Sequence, residues 1–243
     1  DEDLLIANME QWRWMPEDLG ARHVMANVPE FAFRYMKDGK PIHSERIIVG
    51  KPETQTPVFS DLMENVVFHP TWSVPDSIKV KEILPGLARG SNVMQRQGLK
   101  AVYNGREIDP MSVDWRSVDI RNVHVFQPSG QGNALGLLMF NFPNPHHVYM
   151  HDTPLKPLFN NPIRTFSHGC VRVRNPQRFA EVILAEDKGW GPERIKSLLD
   201  TPQQNNMVQL TTRIPVHIVY FTAWVDDDGK LATYRDMYGH EEK

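Results

Sequence analysis

The sequence predicts a mainly β, sandwich-like domain with a few helices, interrupted by an inserted mixed α/β subdomain. Three observations carry this reading. Apolar residues alternate with polar ones in stretches near both ends of the chain, which is the period of a half-buried strand. Asp-Gly pairs at Asp38-Gly39 and Asp228-Gly229 supply hairpin turns between such stretches. Between about 61 and 122 the alternation fades and prolines gather, at Pro70, Pro75, Pro85 and Pro110.

In chain order, Asp3 to Met15 reads as an amphipathic helix, with Leu5, Met9 and Trp12 at helical spacing and Pro16 as its stop. Phe31, Phe33 and Tyr35 then alternate, Lys37-Asp38-Gly39-Lys40 turns the chain, and Ile42 to Val49 returns as the second strand of a hairpin. The middle segment contains Phe68, Trp72, Ile83, Leu84 and Trp115. That is enough apolar bulk to fold against the main domain rather than act as a linker. Within it, Ile78 to Leu84 and Asn92 to Gln97 read as short helices. Strand character returns at Val123 to Phe126 and Leu137 to Phe142, with a Gly- and Asn-containing turn between them. His147 to His151 favours a strand and stops at Asp152-Thr153-Pro154, so His151 is expected at a strand end, where side chains are commonly presented for function. Asn175-Pro176 starts a helix with Phe179, Val182 and Ile183 on its apolar face, and Gly191-Pro192-Glu193 starts a second through Leu199. Ile214 to Val225 alternates again before a turn at Asp226-Asp227-Asp228-Gly229-Lys230. The expected division is a main domain of residues 1–60 and 123–243 around an insertion at 61–122.

Composition narrows the function. A net charge of −3 and the lack of any basic run offer no footprint for nucleic acid. No apolar stretch is long enough to span a membrane; Ile214 to Val225 is interrupted by Pro215 and His217. The chain starts at Asp1 without an initiator Met, as a mature form or a fragment would. Its single cysteine, Cys170, excludes an internal disulfide. A lone thiol exposed in an oxidising space is at risk, and catalysis is a sufficient reason to keep one there.

Cys170 sits in Phe166-Ser167-His168-Gly169-Cys170-Val171-Arg172, and His151 lies upstream. A single cysteine is most simply a small buried hydrophobe. Here, however, Gly169 permits a tight turn that aims N–H groups outward, and Arg172 adds a fixed cation. An imidazole or such N–H donors can ionise a thiol and make it a nucleophile. Of the two candidate bases, His168 is in the turn and is expected to project away from the sulfur, whereas His151 can approach it edge-on. Either the Asp152 carboxylate or a backbone carbonyl would fix the imidazole tautomer, although neighbours on an extended chain point to opposite faces. The backbone N–H groups of Gly169 and Cys170 are the candidate oxyanion donors. Arg172 suits bidentate binding of a carboxylate, or a structural ion pair. Ser167 suits a loop hydrogen bond, Tyr149 a substrate contact or a core position, and Trp72 a cover over the site or an anchor for the insertion. His146, His147, His151, His168 and Cys170 together raise the alternative of zinc, but their spacing fits no common zinc pattern; neither metal nor cofactor is expected.

Ser167-His168-Gly169-Cys170-Val171-Arg172, preceded by His151-Asp152-Thr153-Pro154, resembles the signature of the L,D-transpeptidases with a YkuD-type catalytic domain. Gln127-Pro128, Asn133-Ala134-Leu135-Gly136, Phe142-Pro143-Asn144, Leu158-Phe159, and upstream Pro70 to Pro75 and Ile83-Leu84-Pro85, are similar to the larger Gram-negative members. The resemblance covers roughly residues 28 to 180 and points to the periplasmic enterobacterial type that makes 3→3 peptidoglycan cross-links. It implies Cys170 as nucleophile, His151 as base and Gly169 in the oxyanion hole, with Arg172, Tyr149, Ser167, His168 and Trp72 contacting substrate beneath a capping insertion. The implied partners are a donor tetrapeptide stem and an acceptor stem, with carbapenems as inhibitors. The same cysteine also serves an L,D-carboxypeptidase, if water is the acceptor, or an enzyme anchoring a protein lysine. A non-catalytic wall-binding module is the alternative of a different class.

Overall fold

The computed structural model describes residues 2–226 and 228–241. Helix α1 (Glu2–Arg13) is followed by β1 (Arg22–Asn27), β2 (Ala32–Lys37), β3 (Lys40–Gly50) and β4 (Phe59–Phe68). A smaller unit comes next: β5 (Trp72–Ser73), α2 (Asp76–Ile78), a π-helical turn over Lys79–Ile83, α3 (Leu84–Ala88), α4 (Val93–Arg96), β6 (Lys100–Tyr103), β7 (Arg106–Ile108) and β8 (His124–Gln127). The chain then adds β9 (Leu138–Asn141), β10 (Met150–His151), β11 (Thr165–Ser167), β12 (Val171–Val173), α5 (Pro176–Lys188), α6 (Pro192–Asp200), β13 (Asn206–Val219), β14 (Ala223–Val225) and β15 (Leu231–Thr233).

Nine strands form one mixed sheet in the order β11-β3-β12-β10-β9-β4-β13-β1-β2, and β2 also pairs β3. The sheet therefore curls back on itself through β3, whose first half pairs β2 and whose second half pairs β12. Side chains on the inner face fill the core, among them Phe33, Tyr35, Val66, Phe140, Met150, Val171, Val173 and Val216. Helix α5 contributes Phe179 to this core, with its ring 4.6 Å from Phe33 and 4.5 Å from Phe140. Burying one such aromatic contributes about 1.5–3 kcal/mol, so α5 is held by packing as well as by its own hydrogen bonds. The Lys37-to-Lys40 hairpin is present, with Asp38 at φ 49° and Gly39 at φ 75°, the left-handed pair that a two-residue turn requires.

The smaller unit is a four-stranded sheet, β5-β8-β6-β7, with its own core of Val74, Ile83, Leu87, Met94, Ala101, Trp115, Ile120 and Val125. Its boundaries differ from the expected 61–122. β4 lies in the middle of the large sheet, and β8 pairs within the small one. Val66, Val67 and Phe68 are all buried, because the two faces of β4 are both covered at that end, and this erases the alternation that marks a half-buried strand. The insertion thus runs between β4 and β9.

Three further expectations change. On α1, Leu5 and Met9 are exposed; the helix is pinned by buried Asn8, which accepts the N–H groups of Thr222 and Ala223, and by Trp12 stacked 4.7 Å from Phe221. The strand expected from His147 to His151 contracts to Met150–His151, because His147 takes a left-handed φ of 54°. Ile214 to Val225 is interrupted after Val219, and β14 pairs β15 across the turn that includes Asp226 and Lys230. Asp227, assigned to that turn, lies outside the described residues, as do Asp1, Glu242 and Lys243 at the expected domain ends. No described helix is long and apolar enough to cross a membrane.

Candidate active site

β10 and β12 are parallel neighbours with Met150 opposite Val171 and His151 opposite Arg172. One step back, the Val171 N–H donates to the Tyr149 carbonyl at 3.1 Å. Met150, Val171 and Val173 point into the core, so strand alternation places Tyr149, His151, Cys170 and Arg172 together on the outer face. The Tyr149 and His151 rings are 5.7 Å apart. Two strands and one loop thus gather a thiol, an imidazole, a phenol and a guanidinium.

The loop carrying Cys170 is fixed by backbone hydrogen bonding rather than by apolar packing. Gly169 takes φ 121°, a conformation L side chains rarely adopt. Ser167, 2% exposed, donates its hydroxyl to the Cys170 carbonyl at 2.6 Å and accepts the Gly169 N–H at 3.1 Å. The Thr56 hydroxyl donates to the Gly169 carbonyl and accepts the Gly50 N–H, both at 2.8 Å. Gly50 is required there, since a Cβ would lie 2.0 Å from the Thr54 carbonyl oxygen. Lys51 and Thr54 both donate to the Ser167 carbonyl, at 3.0 and 3.1 Å. Two expected roles change as a result. Ser167 is an internal staple, too buried to meet a substrate. The Gly169 N–H is engaged by Ser167, which leaves the Cys170 N–H as the oxyanion donor with no partner among the described residues.

His151 is 5% exposed, and its Nδ1 hydrogen-bonds to the Asp152 carbonyl. A carbonyl only accepts, so Nδ1 carries the proton and Nε2 is the bare, basic nitrogen. Burial pulls the imidazole down to about 4, the Asp152 carbonyl opposing and the Arg172 cation adding to the fall. Burial likewise lifts the Cys170 thiol to about 11, against the opposing pull of the Tyr149 N–H and the Arg172 charge. At neutral pH both groups are uncharged. Burial thus disfavours the ionised thiolate and the ionised imidazolium alike, because each charge would be held partly away from water.

Arg172 is half-buried, and its pKa is lowered by that burial. It makes no hydrogen bond or ion pair with a side chain among the described residues. Trp72, at the start of the insertion, lies beside the Tyr149 phenol, whose pKa burial raises. The His168 imidazole is engaged by the insertion, its Nε2 lying 2.5 Å from Glu82 Oε1 on the π-helical turn. The insertion therefore meets the site at two points, Trp72 on Tyr149 and Glu82 on the nucleophile loop. The histidines of the zinc alternative diverge: His146 packs on Phe59 at 4.8 Å, and His168 on Glu82. Among the described residues no three His, Cys, Asp or Glu side chains are placed to share a metal ion.

Sequence reasoning missed Thr56, Gly50 and Glu82. Nothing local in the sequence marks a threonine that bonds a loop more than a hundred residues away. Gly50, closing a strand before Pro52, is the one signal that a close backbone approach follows.

Residues 21–218 match the model of the YkuD L,D-transpeptidase catalytic domain. A Haemophilus influenzae protein named "Putative L,D-transpeptidase" is 31% identical over 98% of this chain, and the chain spans 48% of that relative's length. The catalytic domain of the Enterococcus faecium L,D-transpeptidase acylated by ertapenem aligns over 82% of this chain and 97% of its own, at 14% identity and a TM-score of 0.38. An L,D-transpeptidase from Mycobacterium smegmatis aligns over 82% and 58%, at 12% identity and a TM-score of 0.37. Similarity that weak carries no argument about the site. The family match spans most of the chain and contains Cys170, His151 and the loop that joins them, so the chain belongs to the YkuD family of L,D-transpeptidase catalytic domains.

Proposed function

We propose that this protein is a periplasmic peptidoglycan L,D-transpeptidase that forms 3→3 cross-links through a thioester on Cys170. What carries the proposal is the grouping on one sheet face of Cys170, a neutral His151 with Nε2 free to accept, and an Arg172 with no acidic partner among the described residues. Cys170 Sγ attacks the carbonyl of the diaminopimelate L-centre in a donor tetrapeptide as its proton passes to His151 Nε2. The oxygen of the tetrahedral intermediate takes the negative charge and accepts from the Cys170 N–H; one such donor typically supplies about 3 kcal/mol. Collapse breaks the C–N bond, His151 returns the proton to the leaving nitrogen, and D-alanine departs from the thioester. The side-chain amine of an acceptor stem then attacks the thioester, His151 takes a proton from it, and the sulfur leaves and is reprotonated. The product is an amide between two diaminopimelate residues.

Arg172 is suited to a carboxylate of the donor stem, since its guanidinium is already half-desolvated and has two N–H groups to offer. Trp72 and Glu82 support a capping role for the insertion. The strained amide of a carbapenem would acylate the same sulfur. Incubating the protein with tetrapeptide muropeptides and weighing the products tests the reaction. Dimers with release of D-alanine are expected. Release without dimers would leave a carboxypeptidase, and binding to sacculi without release would leave a wall-binding module.

A further inference from the structure

We infer that Asp152 is a positioning residue for the base: its carboxylate clamps its own backbone to the start of β9, at Leu137, so that its carbonyl holds His151 in the Nδ1–H tautomer. This rests on His151 acting as the base of the proposed reaction. The Asp152 side chain does not reach the imidazole in the manner of a catalytic triad. Instead Oδ2 accepts the Leu137 N–H at 3.0 Å, while Oδ1 accepts the Thr153 N–H at 2.7 Å and pairs with the Lys156 ammonium. The Asp152 N–H donates in turn to the Leu138 carbonyl at 2.8 Å. Residue 152 is thus tied to β9 through its main chain and to Leu137, the residue just before β9, through its side chain, and the one polar group left pointing at His151 is its carbonyl.

The pocket for that carboxylate exists because residue 136 is glycine. Gly136 has φ 60°, and a Cβ on it would lie 2.3 Å from both Asp152 Cγ and Oδ2. Any side chain there would expel the carboxylate without removing a single hydrogen-bonding group from it. Both carboxylate oxygens are needed, each for a different backbone N–H, so asparagine is a poor substitute: its amide nitrogen would face a donor. The charged or titratable groups facing His151 are Arg172 from β12, and Tyr149, Asp152 and Lys156 from its own segment. β9 contributes Met139 opposite it. Lys156 balances the Asp152 charge, so removing it leaves a carboxylate that favours protonation of the imidazole.

The test is 15N NMR of the His151 ring in the full chain across pH, beside carbapenem acylation kinetics, for wild type, Gly136→Ala, Asp152→Asn and Lys156→Met. Wild type should show one Nδ1–H tautomer. Gly136→Ala and Asp152→Asn should show exchange between tautomers and acylate at least tenfold more slowly, with little change in the reversible binding constant. Lys156→Met, altered at a half-exposed side chain and expected to fold, should shift the His151 titration upward. A single Nδ1–H tautomer retained in folded Gly136→Ala and Asp152→Asn would overturn the inference. So would an unmoved His151 titration in Lys156→Met, should the first two variants not fold. A lost tautomer with undiminished acylation would instead uphold the clamp and refute His151 as the base.

Discussion

Two reactions of the same sulfur should respond differently to pH. Small alkylating agents react with the thiolate alone. With the Cys170 thiol lifted to about 11 by burial, about one molecule in ten thousand is ionised at pH 7, against about 3% for an ordinary cysteine of pKa 8.5. The higher intrinsic nucleophilicity of a more basic thiolate recovers roughly tenfold of that roughly 300-fold deficit. Iodoacetamide should therefore modify Cys170 about 30-fold more slowly than an unstructured cysteine at pH 7, and about tenfold faster with each pH unit up to about 11. In the proposed mechanism, acylation by a carbapenem would use the neutral thiol with neutral His151. Its rate should rise as pH climbs through about 4, where His151 loses its proton, and stay level to about pH 10. Both shifts disfavour a standing ion pair, so proton transfer should accompany attack. His151→Ala should slow acylation at pH 7 by about 10²–10⁴-fold and leave alkylation nearly unchanged. Measuring both rates from pH 4 to 10 by intact mass checks this. Rapid alkylation at pH 6, rising with the same midpoint as acylation, would establish a preformed thiolate–imidazolium pair and refute the reasoning.

Thr56→Val removes two buried hydrogen bonds that hold the nucleophile loop, which should cost about 2–4 kcal/mol; a melting experiment should show a fall of about 5–15 °C, with slower acylation of Cys170 in the folded fraction. Arg172→Ala should lower kcat/KM for a tetrapeptide donor by about 10- to 150-fold, the value of a charge-assisted hydrogen bond. Arg172→Lys should recover only part of that, since the fork is lost. Trp72→Phe, which deletes the indole N–H beside Tyr149, should raise KM for the donor stem while iodoacetamide modification of Cys170 continues at the wild-type rate.

The chemistry of the site was more legible than its architecture. Cys170, His151 and Arg172 stand out because a lone thiol beside glycine, with a histidine at a strand end, has few structural uses. Alternation revealed the β2–β3 hairpin, and the Asn-Pro and Gly-Pro starts revealed α5 and α6. β4 escaped because Val66, Val67 and Phe68 are buried on both faces, and β11 and β12 because each spans three residues. The protonation state was not legible for a related reason. Sequence order indicates which groups meet, whereas their pKa values depend on how completely the folded face excludes water, and this is set by distant residues. The use of the Gly169 N–H by Ser167 is equally a matter of loop geometry.

The most direct test of Cys170 as the acyl carrier is intact-mass analysis of the protein mixed with a donor tetrapeptide alone and quenched in acid within seconds. The mass should rise by that of the donor less D-alanine, the increment should map to the peptide containing Cys170, and it should be lost in Cys170→Ala. D-alanine release with no adduct in wild type, or an undiminished adduct in Cys170→Ala, would contradict the account.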